Sequence, residues 1–148
     1  MTAEIPSILS HVSMGTRDMN RALAFYDAVM PTVGATRKEV IQLDETGIVA
    51  VAYGKLFPEF WIQIPDNPRP AETGNGIHVG FIAADKATVH RFHESALQHG
   101  GTDEGAPGPR PHYGEPYYGC FVLDPDGNKL EATFWDVSKA MPTSGDSN

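Results

Sequence analysis

Two histidines and one glutamate are the residues of this sequence whose types best suit metal chemistry. His11 and His78 each open a stretch in which polar and apolar residues alternate, and Glu131 lies inside a similar stretch. Two imidazoles and one carboxylate can form a facial triad that leaves coordination positions open for water or substrate. A divalent metal held there polarises an oxygen of the substrate and stabilises the charge that develops on it. We therefore predict a divalent-metal site made by His11, His78 and Glu131.

Each of these residues also has a simpler explanation when it is taken alone. A lone histidine on a strand is more often hydrogen-bonded than metal-bound, and a lone glutamate is usually solvated. Strand alternation favours the metal site, because side chains two residues apart share a face of a sheet. If the apolar rows pack beneath helices, the opposite face carries His11, Gln63, His78 and Glu131.

An internal repeat predicts the elements that would position these residues. His78 lies 67 residues after His11, and each histidine is followed seven residues later by an aspartate that can cap a helix. The same spacing pairs Gly34 with Gly101, where each helix should stop. The sequence therefore predicts the same order of elements twice.

Each half of the repeat predicts one strand, one helix and three further strands. We expect helices near residues 18–33 and 85–100. The last strand of each half carries Gln63 or Glu131, which are near-equivalent at a spacing of 68 residues. The fold class is therefore α+β, with two βαβββ modules related by pseudo-twofold symmetry. The strands expected after the helices are 36–43, 48–53 and 59–64 in the first half, and 102–105, 117–123 and 129–135 in the second.

The length of 148 residues suits one domain spanning 1–148. Within it we expect module one at about 7–65, a linker rich in proline and glycine at 66–75, module two at 76–136, and a loose tail at 137–148.

Charge and composition argue against several classes of partner. The formal net charge is −8 and there is no cluster of lysine or arginine, so a nucleic-acid or anionic-membrane surface is not expected. No apolar run approaches the roughly 20 residues that a membrane-spanning helix needs. One cysteine, Cys120, and a start without the pattern of a secretory signal favour a reduced, cytoplasmic location.

Three motifs resemble the vicinal-oxygen-chelate superfamily, which includes glyoxalase I, extradiol dioxygenases and bleomycin-resistance proteins. They are Ser10-His11-Val12, the central run from Gly76 to Phe81, and the run from Asp124 to Glu131. The resemblance covers about residues 7–136 and favours a bacterial glyoxalase-like branch.

The resemblance implies two βαβββ modules that form an open, half-barrel sheet around a metal. By position, the ligands would be His11, His78 and Glu131, with Gln63 as a weaker fourth ligand and Glu131 as the catalytic group. The ion would be zinc, nickel, iron or manganese. The resemblance also implies a small-molecule substrate and a homodimer, with the site either inside one chain or shared between two.

Departures from the family patterns leave the reaction open between a lyase, an isomerase and a dioxygenase. Bacterial glyoxalase I-like enzymes usually carry glutamate where this chain has Gln63, and an amide does not accept a proton at neutral pH. The ligand set matches extradiol dioxygenases better, although those are generally longer. Fosfomycin-resistance enzymes need a cation-rich site, and cations are few here. The alternatives are a small-molecule-binding protein of the bleomycin-resistance type, without catalysis, and a structural or regulatory domain.

A proline-rich loop at residues 108–118 carries the candidate substrate-binding residues. Arg110 could clamp a carboxylate, and His112 or Tyr113 could act as acid or base. Tyr118 could line the pocket. The alternative is a packed surface loop whose tyrosines cover the mouth of the barrel.

Overall fold

Two four-stranded sheets, each joined to one helix, form residues 7–139, the part of the chain that the computed structural model describes. The element order confirms two βαβββ modules. Module one consists of β1 (Val12–Gly15), α1 (Met19–Val29), β2 (Thr36–Gln42), β3 (Ile48–Gly54) and β4 (Phe60–Gln63); module two consists of β5 (His78–Ile82), α2 (Lys86–Gln98), β6 (Thr102–Pro109), β7 (Tyr117–Leu123) and β8 (Lys129–Trp135).

Both sheets have the same topology. Their strand orders are β1-β4-β3-β2 and β5-β8-β7-β6, so the first and last strands of each module are neighbours. These two strands run parallel, and the other neighbours run antiparallel. Neither sheet closes into a barrel. In each module this topology places the last strand beside the first, which is where the predicted ligands lie.

The helix boundaries follow from the predicted caps, with one difference. Asp18 and Asp85 accept hydrogen bonds from the backbone N–H groups three residues on, at 3.0 and 2.7 Å. Gly34 adopts the left-handed conformation (φ 81°) after the first helix and its terminal 3-10 turn. In module two the left-handed residue is Gly100 (φ 98°), one residue before Gly101, the glycine that the repeat pairs with Gly34. The Gly101 N–H instead donates to the Ala96 carbonyl at 2.8 Å and closes the helix end.

The core lies between the helices and the inner faces of the sheets. Phe25, Phe92, Ile62 and Leu130 are fully buried there. Burying a side chain of this size contributes roughly 1.5–3 kcal/mol to folding. The core takes Ile62 of β4 and Leu130 and Ala132 of β8, as alternation predicted, whereas β2 is exposed along its whole length.

The turn between β7 and β8 fastens module two to module one. Asp124 is buried and accepts a hydrogen bond from the Tyr26 hydroxyl of α1 at 2.6 Å. The Asn128 amide donates to the Gly15 carbonyl at 3.1 Å. Asp126 accepts from the Thr16 hydroxyl at 2.5 Å, from a backbone N–H and from an arginine of α1. This joint fixes how the two sheets are placed relative to each other.

The observed extent of β6 and of the C-terminal segment can be compared with the predicted boundaries. The sixth strand is longer than predicted, because two register shifts let Thr102–Pro109 continue past the expected end. Val137–Lys139 form a short 3-10 turn, and the rest of the predicted tail lies outside the described residues. No helix within residues 7–139 has the length and apolar character that crossing a bilayer requires.

Candidate functional site

His78 and Glu131 meet on the open face of the second sheet, which points away from the helices. The His78 Nε2 atom lies 3.1 Å from the Glu131 Oε1 atom. Glu131 is directly opposite Gly80 in the parallel pair of β5 and β8, so His78 lies two residues earlier on the same face. The His78 side chain is 43% exposed and that of Glu131 only 12%. One imidazole and one carboxylate are thus brought together at the surface.

Gly80 leaves the space that the Glu131 carboxylate occupies. A Cβ atom at position 80 would lie 3.2 Å from Glu131 Oε1, which is tighter than an ordinary van der Waals contact. Because Gly80 has no side chain, the Glu131 carboxylate can extend over β5 toward His78.

The second carboxylate oxygen of Glu131 is held by Tyr117. The Tyr117 hydroxyl donates a short hydrogen bond to Glu131 Oε2. Burial raises the pKa of the Tyr117 hydroxyl, and the hydrogen bond to Glu131 and its negative charge raise it further. Tyr117 therefore stays protonated near neutral pH and acts as a donor.

An aromatic ring and one lysine complete this face. The His78 ring stands edge-on to Phe121, with ring centroids 5.7 Å apart. Lys129 lies opposite His78 in the sheet, with its Nζ atom 4.8 Å from the centre of the Phe121 ring. A cavity of about 460 Å³ borders His78 and Lys129, and Glu104 also lines it. The face can therefore accept a small polar molecule beside the histidine.

His11 and Gln63 lie on the first sheet, apart from this pair. His11 precedes β1, is exposed, and has its Nδ1 atom 2.8 Å from the Ser10 hydroxyl oxygen. Gln63 ends β4 and lines a separate cavity of about 340 Å³. In residues 7–139, no three histidine, cysteine, aspartate or glutamate side chains lie close enough together to hold one metal ion. One chain thus brings together two of the predicted ligands.

The contacts of Arg110, His112 and Tyr118 lie away from His78 and Glu131. The Arg110 guanidinium donates to the carbonyls of Ala106, Gly108 and Pro109 at 2.8–3.2 Å, so it is folded onto its own loop. His112 is exposed and its ring centroid is 4.2 Å from that of Tyr113.

Tyr118 lies on the helix side of β7, with its hydroxyl oxygen 2.6 Å from His90 Nε2 of α2. It is therefore on the opposite face of the sheet from Glu131. The neighbouring Tyr117, which sequence reasoning had not selected, is the tyrosine that contacts the site. Alternation was the signal that could have identified it, because Tyr117, Phe121 and Glu131 share one face.

Comparison with known proteins identifies relatives over nearly the whole length of the chain. The sequence model of the Glyoxalase/Bleomycin resistance protein/Dioxygenase superfamily matches residues 8–132. The chain is 32% identical to a glyoxalase/bleomycin resistance protein from Albidiferax ferrireducens T118, covering 86% of this chain and 98% of that one, with a TM-score of 0.71. No match is found among curated proteins.

More distant structures share the fold. A mutant of the fosfomycin resistance protein FosX from Listeria monocytogenes, complexed with Mn(II) and 1S,2S-dihydroxypropylphosphonic acid, is 16% identical, covers 91% of this chain and 97% of that one, and has a TM-score of 0.63. A mutant of glyoxalase I from Zea mays is 17% identical, covers 89% of this chain and 48% of that one, and has a TM-score of 0.61.

Proposed function

The chain belongs to the Glyoxalase/Bleomycin resistance protein/Dioxygenase superfamily, and we propose that it is a metal-dependent enzyme that acts on a small oxygenated substrate. The reaction would be that of a lyase, an isomerase or a dioxygenase. One observation carries this proposal: His78 Nε2 and Glu131 Oε1 lie 3.1 Å apart on an open sheet face beside a cavity.

The chemistry of this pair fits a divalent ion. A neutral imidazole and a carboxylate are ligands that zinc, nickel, iron and manganese all accept. When bound, such an ion would polarise an oxygen of the substrate and stabilise the negative charge that develops on it. Glu131 would hold the ion through its Oε1 atom, which faces His78, and would have to detach from the ion before that oxygen could accept or return a proton.

Two ligands from one chain leave the site incomplete, and we propose that a second copy of the chain completes it. His11 and Gln63 of the second copy would join His78 and Glu131 of the first. The face around the pair supports an interface, because Ile82 and Trp135 are 76% and 50% exposed there. Large exposed apolar side chains next to a polar site are typical of surfaces that bind a partner.

Metal analysis tests the proposal. The protein, purified without chelator and then supplied with Zn²⁺, Ni²⁺, Fe²⁺ or Mn²⁺, should retain one of these ions through gel filtration. His78→Ala and Glu131→Ala should lose it. The matched control is His90→Ala, because His90 is an exposed histidine of the same module that bonds to Tyr118 instead. Equal metal retention in His78→Ala and His90→Ala would overturn the proposal.

A second candidate is a small-molecule-binding protein of the bleomycin-resistance type. It is favoured by the lack of any three-donor cluster within residues 7–139. Such a protein would bind a small molecule equally well after exhaustive treatment with chelator. The metal-dependent enzyme would lose both binding and turnover under that treatment.

A further inference from the structure

The contacts of Tyr117 point to a role beyond packing. We propose that Tyr117 is a positioning residue of the metal site, which holds one oxygen of Glu131 so that the other stays directed toward His78. The inference rests on the proposed function, since it concerns how the proposed ligand Glu131 is oriented.

The hydrogen bonds of Glu131 divide its two oxygens between two neighbours. Oε2 accepts from the Tyr117 hydroxyl, and Oε1 lies 3.1 Å from His78 Nε2. A carboxylate held at one oxygen loses the freedom to rotate about its terminal bond. Oε1 is therefore the oxygen left to bind an ion beside His78.

The strand geometry explains how Tyr117 reaches Glu131. Phe121, not Tyr117, is directly opposite Glu131 in the antiparallel pair, and Gly119 lies between the two aromatic residues on the same face. A Cβ atom at Gly119 would collide with the Tyr117 hydroxyl. The phenol ring of Tyr117 therefore lies along β7 over Gly119, and its hydroxyl reaches the Glu131 carboxylate.

Aromatic packing fixes the Tyr117 ring in this orientation. Tyr117 is 3% exposed, and its ring meets Trp135 and Tyr113 edge-on, with centroids 5.4 and 4.9 Å away. Edge-to-face pairs of this kind stabilise the ring position beyond what burial alone contributes. Because the Tyr117 hydroxyl is already fixed before an ion binds, orienting Glu131 costs little conformational entropy.

Outer hydrogen bonds of this kind have measurable consequences for metal binding. Removing a group that orients a ligand typically weakens metal affinity by about 10–100-fold. Tyr117→Phe removes the hydroxyl but keeps the ring against Trp135 and Tyr113. A role limited to packing therefore predicts no change in this variant, whereas a positioning role predicts weaker binding.

The experiment is a Co²⁺ titration of the full-length protein, followed by the visible absorption of the bound ion. Tyr117→Phe should bind Co²⁺ at least about 10-fold more weakly than the wild type, with altered absorption bands. Tyr118→Phe is the matched control, because it removes a hydroxyl from the next residue, which contacts His90 on the other face. The control should match the wild type in affinity and spectrum.

A second variant displaces the phenol without removing its hydroxyl. The methyl group of Gly119→Ala would collide with the Tyr117 hydroxyl and would also lie 2.9 Å from the Ala132 carbonyl oxygen, so it should weaken Co²⁺ binding in the same direction and also lower stability. Thermal unfolding of the metal-free variants identifies any that are not folded at the titration temperature.

The outcomes separate the inference from the proposed function. A wild-type protein that binds no Co²⁺ would overturn the proposed function itself. A wild-type protein that binds Co²⁺, together with a Tyr117→Phe variant of unchanged affinity and spectrum, would overturn only the role of Tyr117.

Discussion

Gln63 lies directly opposite Gly15 in the parallel pair of β1 and β4, whereas Glu131 lies opposite Gly80 in the equivalent pair of β5 and β8. Gly80 corresponds in the repeat to Ser13, whose partner is Trp61. The expected equivalence of Gln63 and Glu131 is therefore wrong by two residues of register. Trp61 is therefore the residue of β4 that corresponds to Glu131, and Gln63 lies two residues beyond it.

This displacement predicts a minor role for Gln63 in metal binding. Gln63→Ala should retain most of the metal that the wild type holds, because a displaced neutral amide is a poorer ligand than imidazole or carboxylate. His11→Ala, His78→Ala and Glu131→Ala should each lose it. Metal content measured after gel filtration compares the four variants. Equal loss in all of them would make Gln63 a full ligand.

Mixing two inactive variants tests whether two chains share the site. His11→Ala and His78→Ala proteins, mixed after subunit exchange, should recover about a quarter of the wild-type metal content. Half of the dimers would be mixed, and each mixed dimer would hold one intact site of two. The measurement is metal per chain before and after exchange. A site inside one chain predicts no recovery.

Glyoxalase-type turnover should be absent or very low. Gln63 cannot accept a proton at neutral pH, and general-base assistance is worth about 10²–10⁴-fold. Glutathione also brings two carboxylates, whereas the Arg110 guanidinium is already bound to three backbone carbonyls. The assay uses the methylglyoxal–glutathione hemithioacetal with several metals and compares the wild type with Gln63→Glu. Substantial activity in the wild type would show that an amide at position 63 does not prevent turnover.

The joint between the modules should dominate stability. Asp124→Ala leaves the buried Tyr26 hydroxyl and the Asn128 backbone N–H without their acceptor, so it should lower the free energy of unfolding by about 3 kcal/mol or more. Tyr26→Phe removes one hydrogen bond and should cost about 1–2 kcal/mol. Urea unfolding measures both. Similar effects of the two variants would show that the tyrosine is the only important partner.

Acid should remove a small stabilising contribution from Asp27. Burial alone would raise the pKa of Asp27, but hydrogen bonds from Arg37 and Tyr53 outweigh it and bring the pKa below its ordinary value of 3.8. The contribution is therefore present above that value and is lost as the pH falls through the lowered pKa.

Wild-type protein should lose more stability than Asp27→Asn between pH 7 and about pH 3. The difference should be roughly 1 kcal/mol or less, because Asp27 is partly exposed. Thermal unfolding at the two pH values measures it. A larger loss in Asp27→Asn would contradict the direction of the shift.

Local patterns predicted the elements well because each has a local physical cause. Asp18 and Asp85 cap helices through bonds that span three residues. Alternation along β5 and β8 correctly placed His78 and Glu131 on one face. Both signals depend on neighbours in the chain, so a single sequence contains them.

The remaining differences depend on non-local geometry. A two-residue change of register keeps every side chain on its face, so alternation could not reveal the displacement of Gln63. The separation of His11 from His78 depends on how the buried turn at Asp124 joins the modules. Tyr117 is a different case, because alternation along β7 places Tyr117, and not Tyr118, on the face that carries Glu131, and the sequence contains that signal.

The turn at 124–128 has a counterpart between β3 and β4 that is used differently. In that counterpart, Leu56 and Phe57 are 82% and 70% exposed. The two modules are therefore alike in strand order but not in how this turn is used. One of the two equivalent turns is buried against the other module, and the other leaves large apolar side chains in solvent.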